Sequence, residues 1–64
     1  MNIFSQEKLA ALVSEGRRAM KLSQAELSKR TGMNRATISR IEQKTYIPSI
    51  PQLQELSRVL NFDM

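Results

Sequence analysis

Residues 35–43 carry side chains whose types and spacing could read the edges of DNA base pairs. On a helical wheel at about 100° per residue, one side of this segment is polar or small. That side holds Arg35, Ala36, Ser39 and Arg40. An arginine fork can bond guanine, a serine hydroxyl is a small hydrogen-bonding group, and an alanine methyl can touch the methyl of thymine. The alternative is an ordinary solvated face, opposite the apolar side chains of Ile38 and Ile41.

The preceding residues predict a second short helix and a tight turn, which favour the nucleic-acid interpretation. Ser23 and Glu26 have the spacing of a capping box and predict a helix at about residues 24–30. Gly32 suits a left-handed turn, and Asn34 occupies the N-cap position of the next helix, at about residues 35–43. Two apolar pairs have the spacing of hydrophobic staples: Leu22 with Leu27, and Met33 with Ile38.

This combination resembles the helix-turn-helix of lambda-repressor-like proteins, the Cro/cI or XRE family. The matching positions are Leu22, Ser23, Gln24, Leu27, Gly32, Ile38, Ile41, Glu42 and Pro48. Their joint spacing carries the resemblance, which extends over about residues 9–62. It implies an all-α, compact domain of four or five helices, with the helix-turn-helix at about residues 23–43. Such domains bind operator DNA, usually as dimers.

The resemblance also implies roles for individual residues. Base edges would be contacted by Arg35, Ala36, Ser39 and Arg40, and the DNA backbone by Gln24, Asn34, Thr37, Lys44, Thr45 and Tyr46. Gln24 matches a phosphate-clamping glutamine at a helix N-terminus. Two alternatives remain open, since Thr37 could face inward and Tyr46 could lie over the core.

Four positions bear on the stability of the domain. In similar domains, an arginine at the position of Arg17 forms a buried ion pair with a glutamate at the position of Glu42, whereas the spacing alone favours a solvated Arg17. Lys44 stands where the family usually has a glycine in a left-handed turn, which costs a lysine some free energy. Gly16 interrupts the first apolar stripe and indicates either a close helix contact or an early helix end.

The flanking segments predict one helix on each side. Ser5 can cap the first, Phe4 can pack on Leu9, and an apolar stripe follows at Leu9, Leu12 and Val13. Ser49 and Gln52 form a second capping box, which starts a helix with an apolar stripe. The residues of that stripe are Ile50, Leu53, Leu56 and Leu60. Asn61 can end this helix in place of glycine, and Phe62 should fold back on the core.

Composition limits the other function classes. The 64 residues suffice for one domain, residues 1–64, and the sequence has no cysteine or histidine. No base and nucleophile pair or phosphate-binding loop is recognisable, so we expect no enzyme activity, metal or cofactor. The net charge of +4 is compatible with a polyanionic partner. Without a signal peptide or a membrane-spanning run, a cytoplasmic protein is the simplest expectation.

The resulting hypothesis is a sequence-specific transcription regulator of the repressor type. We expect a double-stranded DNA operator with an inverted repeat, bound by a homodimer, with a toxin or an effector domain as the candidate protein partner. One alternative is an antitoxin subunit that also binds a toxin. Another is a protein-interaction module of the antirepressor type, which keeps the fold without binding DNA.

Overall fold

In a computed structural model, residues 5–62 are described, and they form four α-helices and no strand. The helices are α1 (Gln6–Ala19), α2 (Gln24–Thr31), α3 (Arg35–Glu42) and α4 (Ile50–Leu60). The all-α prediction is confirmed, and so is the pair of short helices at its centre. None of the helices in this described part is long and apolar enough to cross a membrane.

The predicted helix caps are present at three helix starts. The Oγ of Ser23 accepts a hydrogen bond from the Glu26 amide (3.0 Å), while a Glu26 carboxylate oxygen accepts one from the Ser23 amide (2.8 Å). Ser49 and Gln52 form the same reciprocal pair at α4. Ser5 caps α1 through the Lys8 amide (3.2 Å). The contact expected from Phe4 lies outside the described residues.

The start of α3 differs from the expectation. Asn34 has the extended backbone of an N-cap residue, but its side chain makes no capping hydrogen bond. The turn is held instead by two hydroxyls of α2, because Ser28 donates to the Met33 carbonyl and Thr31 accepts from the Met33 amide. Asn34 is exposed, so water can solvate the first-turn amides that its side chain leaves uncapped.

All four helices contribute to one core. Its buried side chains are Leu9, Val13, Leu22, Leu27, Met33, Ile38, Ile41, Leu53, Leu56 and Leu60. Two predicted core positions were wrong. Leu12 is only half-buried because the buried side of α1 is turned toward Ala10, which is 4% exposed. Ile50 is 59% exposed because, as the first residue of α4, its Cβ points back beyond the helix start.

Gly16 marks a close contact between helices and not an early helix end. Helix α1 continues past it to Ala19. A Cβ built on Gly16 would lie 3.4 Å from the Cβ of Leu60, so α1 and α4 lie close together at this position. Phe62, just after α4, packs against the core as predicted.

Among residues 5–62, four adopt the left-handed backbone region. Gly32 (φ 72°) ends α2 and Asn61 (φ 60°) ends α4, as predicted. Lys44 (φ 67°) keeps the left-handed turn that a glycine usually makes in similar domains, and Lys21 (φ 58°) makes another between α1 and α2. Both lysines carry the steric cost of this conformation.

Candidate nucleic-acid interface

Helix α3 has one buried side and one exposed side. Ile38 and Ile41 are 0% and 1% exposed, which fixes this short helix against the core. Arg35, Ala36 and Arg40 are exposed on the other side. Ser39 and Thr37 are half-buried. The structure therefore brings the four predicted base-contacting residues onto one accessible surface, as the helical wheel indicated.

The polar groups of this surface have unused hydrogen-bonding capacity. Within residues 5–62, the guanidinium groups of Arg35 and Arg40 make no hydrogen bond or ion pair. The hydroxyl of Ser39 accepts a hydrogen bond from the side-chain amide of Gln43 at 3.2 Å, so its own proton remains available. These donors can therefore reach an acceptor outside the chain.

The N-termini of α2 and α3 add free backbone donors. At α2, the Ser23 hydroxyl accepts a hydrogen bond from the Glu26 amide. The backbone amides of Gln24 and Ala25 have no acceptor among residues 5–62. At α3, the first-turn amides are also without a protein acceptor in that part of the chain, since Asn34 does not cap them. Unpaired amides at a positive helix end suit a phosphate oxygen.

The loop after α3 offers fewer free donors than the sequence predicts. Lys44 is exposed, but the Thr45 hydroxyl donates to the Arg40 carbonyl at 3.2 Å. The Tyr46 hydroxyl donates to the Oε1 of Gln52 at 2.9 Å, and its ring packs against the core. Because each hydroxyl has a single proton, Thr45 and Tyr46 use their only side-chain donor inside the chain. Of the three loop residues, Lys44 keeps its donors.

A polar network lies behind this surface. Arg17 in α1 donates from Nε to Oε2 of Glu42 (2.7 Å) and from Nη2 to Oε1 (3.2 Å). Its Nη1 donates to the Leu22 carbonyl (2.9 Å). The hydrogen bonds that Arg17 donates to the Glu42 carboxylate raise the pKa of Arg17 above its ordinary value. The ion pair implied by the family resemblance is thus present in the structure.

One member of the network was not foreseen from the sequence. The Nε2 of Gln24 donates to the Oε1 of Glu42 at 3.2 Å, across 18 positions of the chain. The sequence predicts Gln24 as a phosphate-contacting residue at the start of α2 and Glu42 as the partner of Arg17, with no contact between Gln24 and Glu42. No local pattern signals the contact, because it depends on how α2 packs on α3.

The residues that the structure describes contain no group of three or more acidic, cysteine or histidine side chains that could hold a metal ion. The features gathered around α3 are instead cationic side chains and backbone donors. They suit a ligand that is anionic and rich in hydrogen-bond acceptors.

Comparison with known proteins agrees with this geometry. A family model described as helix-turn-helix matches residues 13–64. The chain is 36% identical over 58 residues to the "ImmF control region 10 kDa protein" of Bacillus phage phi105, which covers 91% of this chain and 64% of the phage protein. It is 33% identical over 61 residues to the "Uncharacterized HTH-type transcriptional regulator y4dL" of Sinorhizobium fredii (strain NBRC 101917 / NGR234), which covers 95% of this chain and 31% of that regulator.

The chain spans less than two thirds of the length of either relative. No solved structure matches it. The family match covers most of the chain and includes all of α2, α3 and α4. The chain therefore belongs to the lambda-repressor-like, or XRE, family of helix-turn-helix domains, a family of DNA-binding transcription regulators.

Proposed function

We propose that this chain binds double-stranded DNA sequence-specifically by inserting α3 into the major groove, and that it acts as a transcriptional repressor. The observation that carries the proposal is the two-sided burial of α3. Ile38 and Ile41 fix the helix to the core, while Arg35 and Arg40 stand exposed without a protein partner among residues 5–62. A major groove admits an α-helix and presents acceptors on guanine to such arginines.

The proposed contacts divide into two groups. Arg35, Ala36, Ser39 and Arg40 read base edges. Phosphates are held by the exposed Lys44, by the N-terminus of α2 at Gln24, and by the start of α3 at Asn34 and Thr37. Thr45 and Tyr46 support the loop that carries Lys44, since their hydroxyls bond to Arg40 and Gln52.

Binding as a homodimer to an inverted repeat follows from the size of α3. An eight-residue helix contacts only a few base pairs, which is too little for a high-affinity site. Two copies related by a twofold axis would place their α3 helices in successive major grooves about 34 Å apart. Repression is the simplest outcome, because a bound dimer that covers a promoter needs no further activity.

The protein-interaction alternative receives less support from the structure. A module that keeps this fold without binding DNA has no need of two unpaired arginines on the exposed side of α3. An antitoxin role is compatible with DNA binding, and it would add a toxin as a protein partner. The protein-interaction module differs from the other two functions in that it would shift no DNA duplex.

The proposal is tested by selection from a randomised duplex pool at low salt, followed by mass measurement of the selected complex. We expect enrichment of an inverted repeat with two chains bound per duplex. If no duplex is shifted at low salt, DNA binding is excluded and the protein-interaction module becomes the better interpretation. If the selected sites lack an inverted repeat and hold one chain each, the dimeric mode is wrong.

A further inference from the structure

The carboxylate of Glu42 joins three parts of the domain. It accepts two hydrogen bonds from Arg17 in α1 and one from the side-chain amide of Gln24, the first residue of α2. Glu42 is itself the last residue of α3. The carboxylate therefore fixes the end of the proposed recognition helix relative to the start of the helix before it.

The contact determines which end of the Gln24 amide faces inward. An ionised carboxylate only accepts hydrogen bonds, whereas a glutamine amide has a donor end and an acceptor end. The Nε2 of Gln24 must therefore point toward Glu42, as it does at 3.2 Å. Its second N–H has no partner among residues 5–62. The backbone amides of Gln24 and Ala25 are free in the same part of the chain.

We propose that Glu42 is a positioning residue for the phosphate contact of Gln24. By holding one N–H of the amide, Glu42 directs the other N–H toward the phosphate oxygen that the backbone amides of α2 also approach. A negative carboxylate at this place would otherwise repel the phosphate, and Arg17 neutralises it through two hydrogen bonds. This inference rests on the proposed DNA-binding function and adds a residue to it.

The positioning role has a consequence for the register on DNA. The phosphate contact at α2 and the base-contacting surface of α3 are connected through the side chain of Glu42. The phosphate contact then restricts the position of α3 in the groove, because Gln24 and Glu42 move together. Phosphate contacts generally fix the register of a protein on the duplex, while base contacts supply the specificity.

Three variants separate this role from a purely structural one. Glu42→Gln is nearly isosteric, but its single oxygen is needed by Arg17, so its amide nitrogen would face Gln24. The Gln24 amide would then turn and present its oxygen where the N–H had been. Arg17→Lys is the matched control, because it alters the same ion pair and leaves the bond between Glu42 and Gln24 in place. Gln24→Ala removes the proposed contact itself.

The measurement is a methylphosphonate scan, in which each phosphate of the selected duplex is made neutral in turn and affinity is measured at matched salt. We expect one phosphate per half-site whose neutralisation weakens wild-type binding by about tenfold. In Gln24→Ala and in Glu42→Gln, the same neutralisation should cost less than about threefold. In Arg17→Lys, the effect at that phosphate should remain close to the wild-type value.

A second measurement needs no variant of the ion pair and covers the case in which Glu42→Gln does not fold. In the free wild-type protein, we expect the Gln24 side-chain amide to be as rigid as the backbone, with an NMR order parameter of about 0.8 or more. A freely moving amide, below about 0.6, would overturn the positioning role.

The scan also separates failure of this inference from failure of the proposed function. If the wild type binds DNA and Glu42→Gln keeps the full effect at the phosphate that Gln24→Ala loses, the role of Glu42 is overturned. If no phosphate effect is lost in Gln24→Ala, the contact of Gln24 is overturned, and the role of Glu42 falls with it. A wild type that binds no duplex would instead overturn the proposed function.

Discussion

Arg17 and Glu42 form a two-bond ion pair that is largely withdrawn from solvent. The Nε–Oε2 distance is 2.7 Å, and the side chains are 14% and 10% exposed. A second ion pair in the part of the chain that the structure describes, between Arg58 and Glu55, is 62% and 46% exposed. The same type of interaction thus occurs in two environments of one small domain.

This contrast predicts different costs for the same substitution. Glu42→Ala leaves the Arg17 charge nearly buried without its partner, which costs roughly 3–5 kcal/mol. A domain of this size often has only about 5 kcal/mol in total, so the variant should be largely unfolded at 37 °C. Glu55→Ala, the matched control, should change the unfolding free energy by less than about 0.5 kcal/mol. Thermal denaturation checks both variants, and a melting temperature of Glu42→Ala within a few degrees of wild type would contradict the burial argument.

We expect a single methyl group added at Gly16 to stabilise the fold. A Cβ at this position would lie 3.4 Å from the Cβ of Leu60, at the near limit of ordinary contact. Because Gly16 lies inside α1, Gly16→Ala should raise the unfolding free energy by about 0.5–1 kcal/mol. Gly16→Val adds branches toward Leu60 and should lower it by about 1–3 kcal/mol. Chemical denaturation of both variants provides the test, and a destabilised alanine variant would show that the helices cannot adjust.

We expect Lys44 to lower the stability of the fold and to contribute to DNA binding. Its positive φ of 67° is strained for a lysine, so Lys44→Gly should stabilise the fold by up to about 1 kcal/mol. The same change removes a proposed phosphate contact and should weaken binding to every duplex. Lys21→Gly relieves a similar φ of 58° and is the control for stability. Denaturation curves together with binding titrations test this, and a Lys44→Gly variant that binds DNA as well as wild type would exclude the phosphate role.

We expect the contribution of Glu26 to the folding stability to depend on pH. Hydrogen bonds from the backbone and side chain of Ser23 lower the pKa of this carboxyl below its ordinary value. The native state therefore binds the Glu26 proton less readily than the unfolded state, so the stabilisation is present above the unfolded pKa. It is lost as the pH falls through the native pKa. Glu26→Gln keeps a capping box, as Gln52 does at α4, but cannot titrate.

Relative to Glu26→Gln, the wild type should therefore lose stability as the pH falls from neutral through the acidic range. Denaturation curves at several pH values measure it, and the other carboxyl groups cancel because both proteins share them. A constant difference across the range would show that the cap does not depend on the charge of Glu26.

The parts of the fold that were predictable from the sequence are those encoded over a few residues. Capping boxes at Ser23 and Ser49 and left-handed ends at Gly32 and Asn61 depend on local backbone geometry, and all four are present. The two-sided character of α3 followed from its periodicity. The ion pair of Arg17 came from the family resemblance, because no local rule joins residues 25 positions apart.

The misses have different physical causes, which are packing between helices for some residues and local geometry at a helix start for others. Leu12 lies at the margin of the core because the buried side of α1 is turned toward Ala10, and the sequence does not predict how α1 is rotated about its axis. At the start of α3, the Asn34 side chain makes no capping hydrogen bond, and the hydroxyls of Ser28 and Thr31 hold the preceding turn through Met33. The sequence left two positions open for Tyr46, and the hydrogen bond from its hydroxyl to Gln52 in α4 decides between them.

In the proposed binding mode, Arg40 contacts base edges and Lys44 contacts the DNA backbone, so the two residues should differ in how their loss affects specificity. Losing an arginine fork on guanine removes roughly 1–3 kcal/mol of discrimination against the wrong base. Losing a phosphate contact weakens all duplexes alike and reduces the salt slope by about one ion. Both variants are exposed-site changes, and each is first checked for folding by circular dichroism.

The most direct measurement is the affinity of Arg40→Ala and Lys44→Ala for the selected site and for scrambled DNA at matched salt. We predict that Arg40→Ala loses about tenfold or more on the selected site and little on scrambled DNA. Lys44→Ala should lose similar factors on both duplexes. Equal losses of Arg40→Ala on both duplexes would contradict the orientation of α3 in the groove. No loss in either Arg40→Ala or Arg35→Ala would contradict the groove assignment itself.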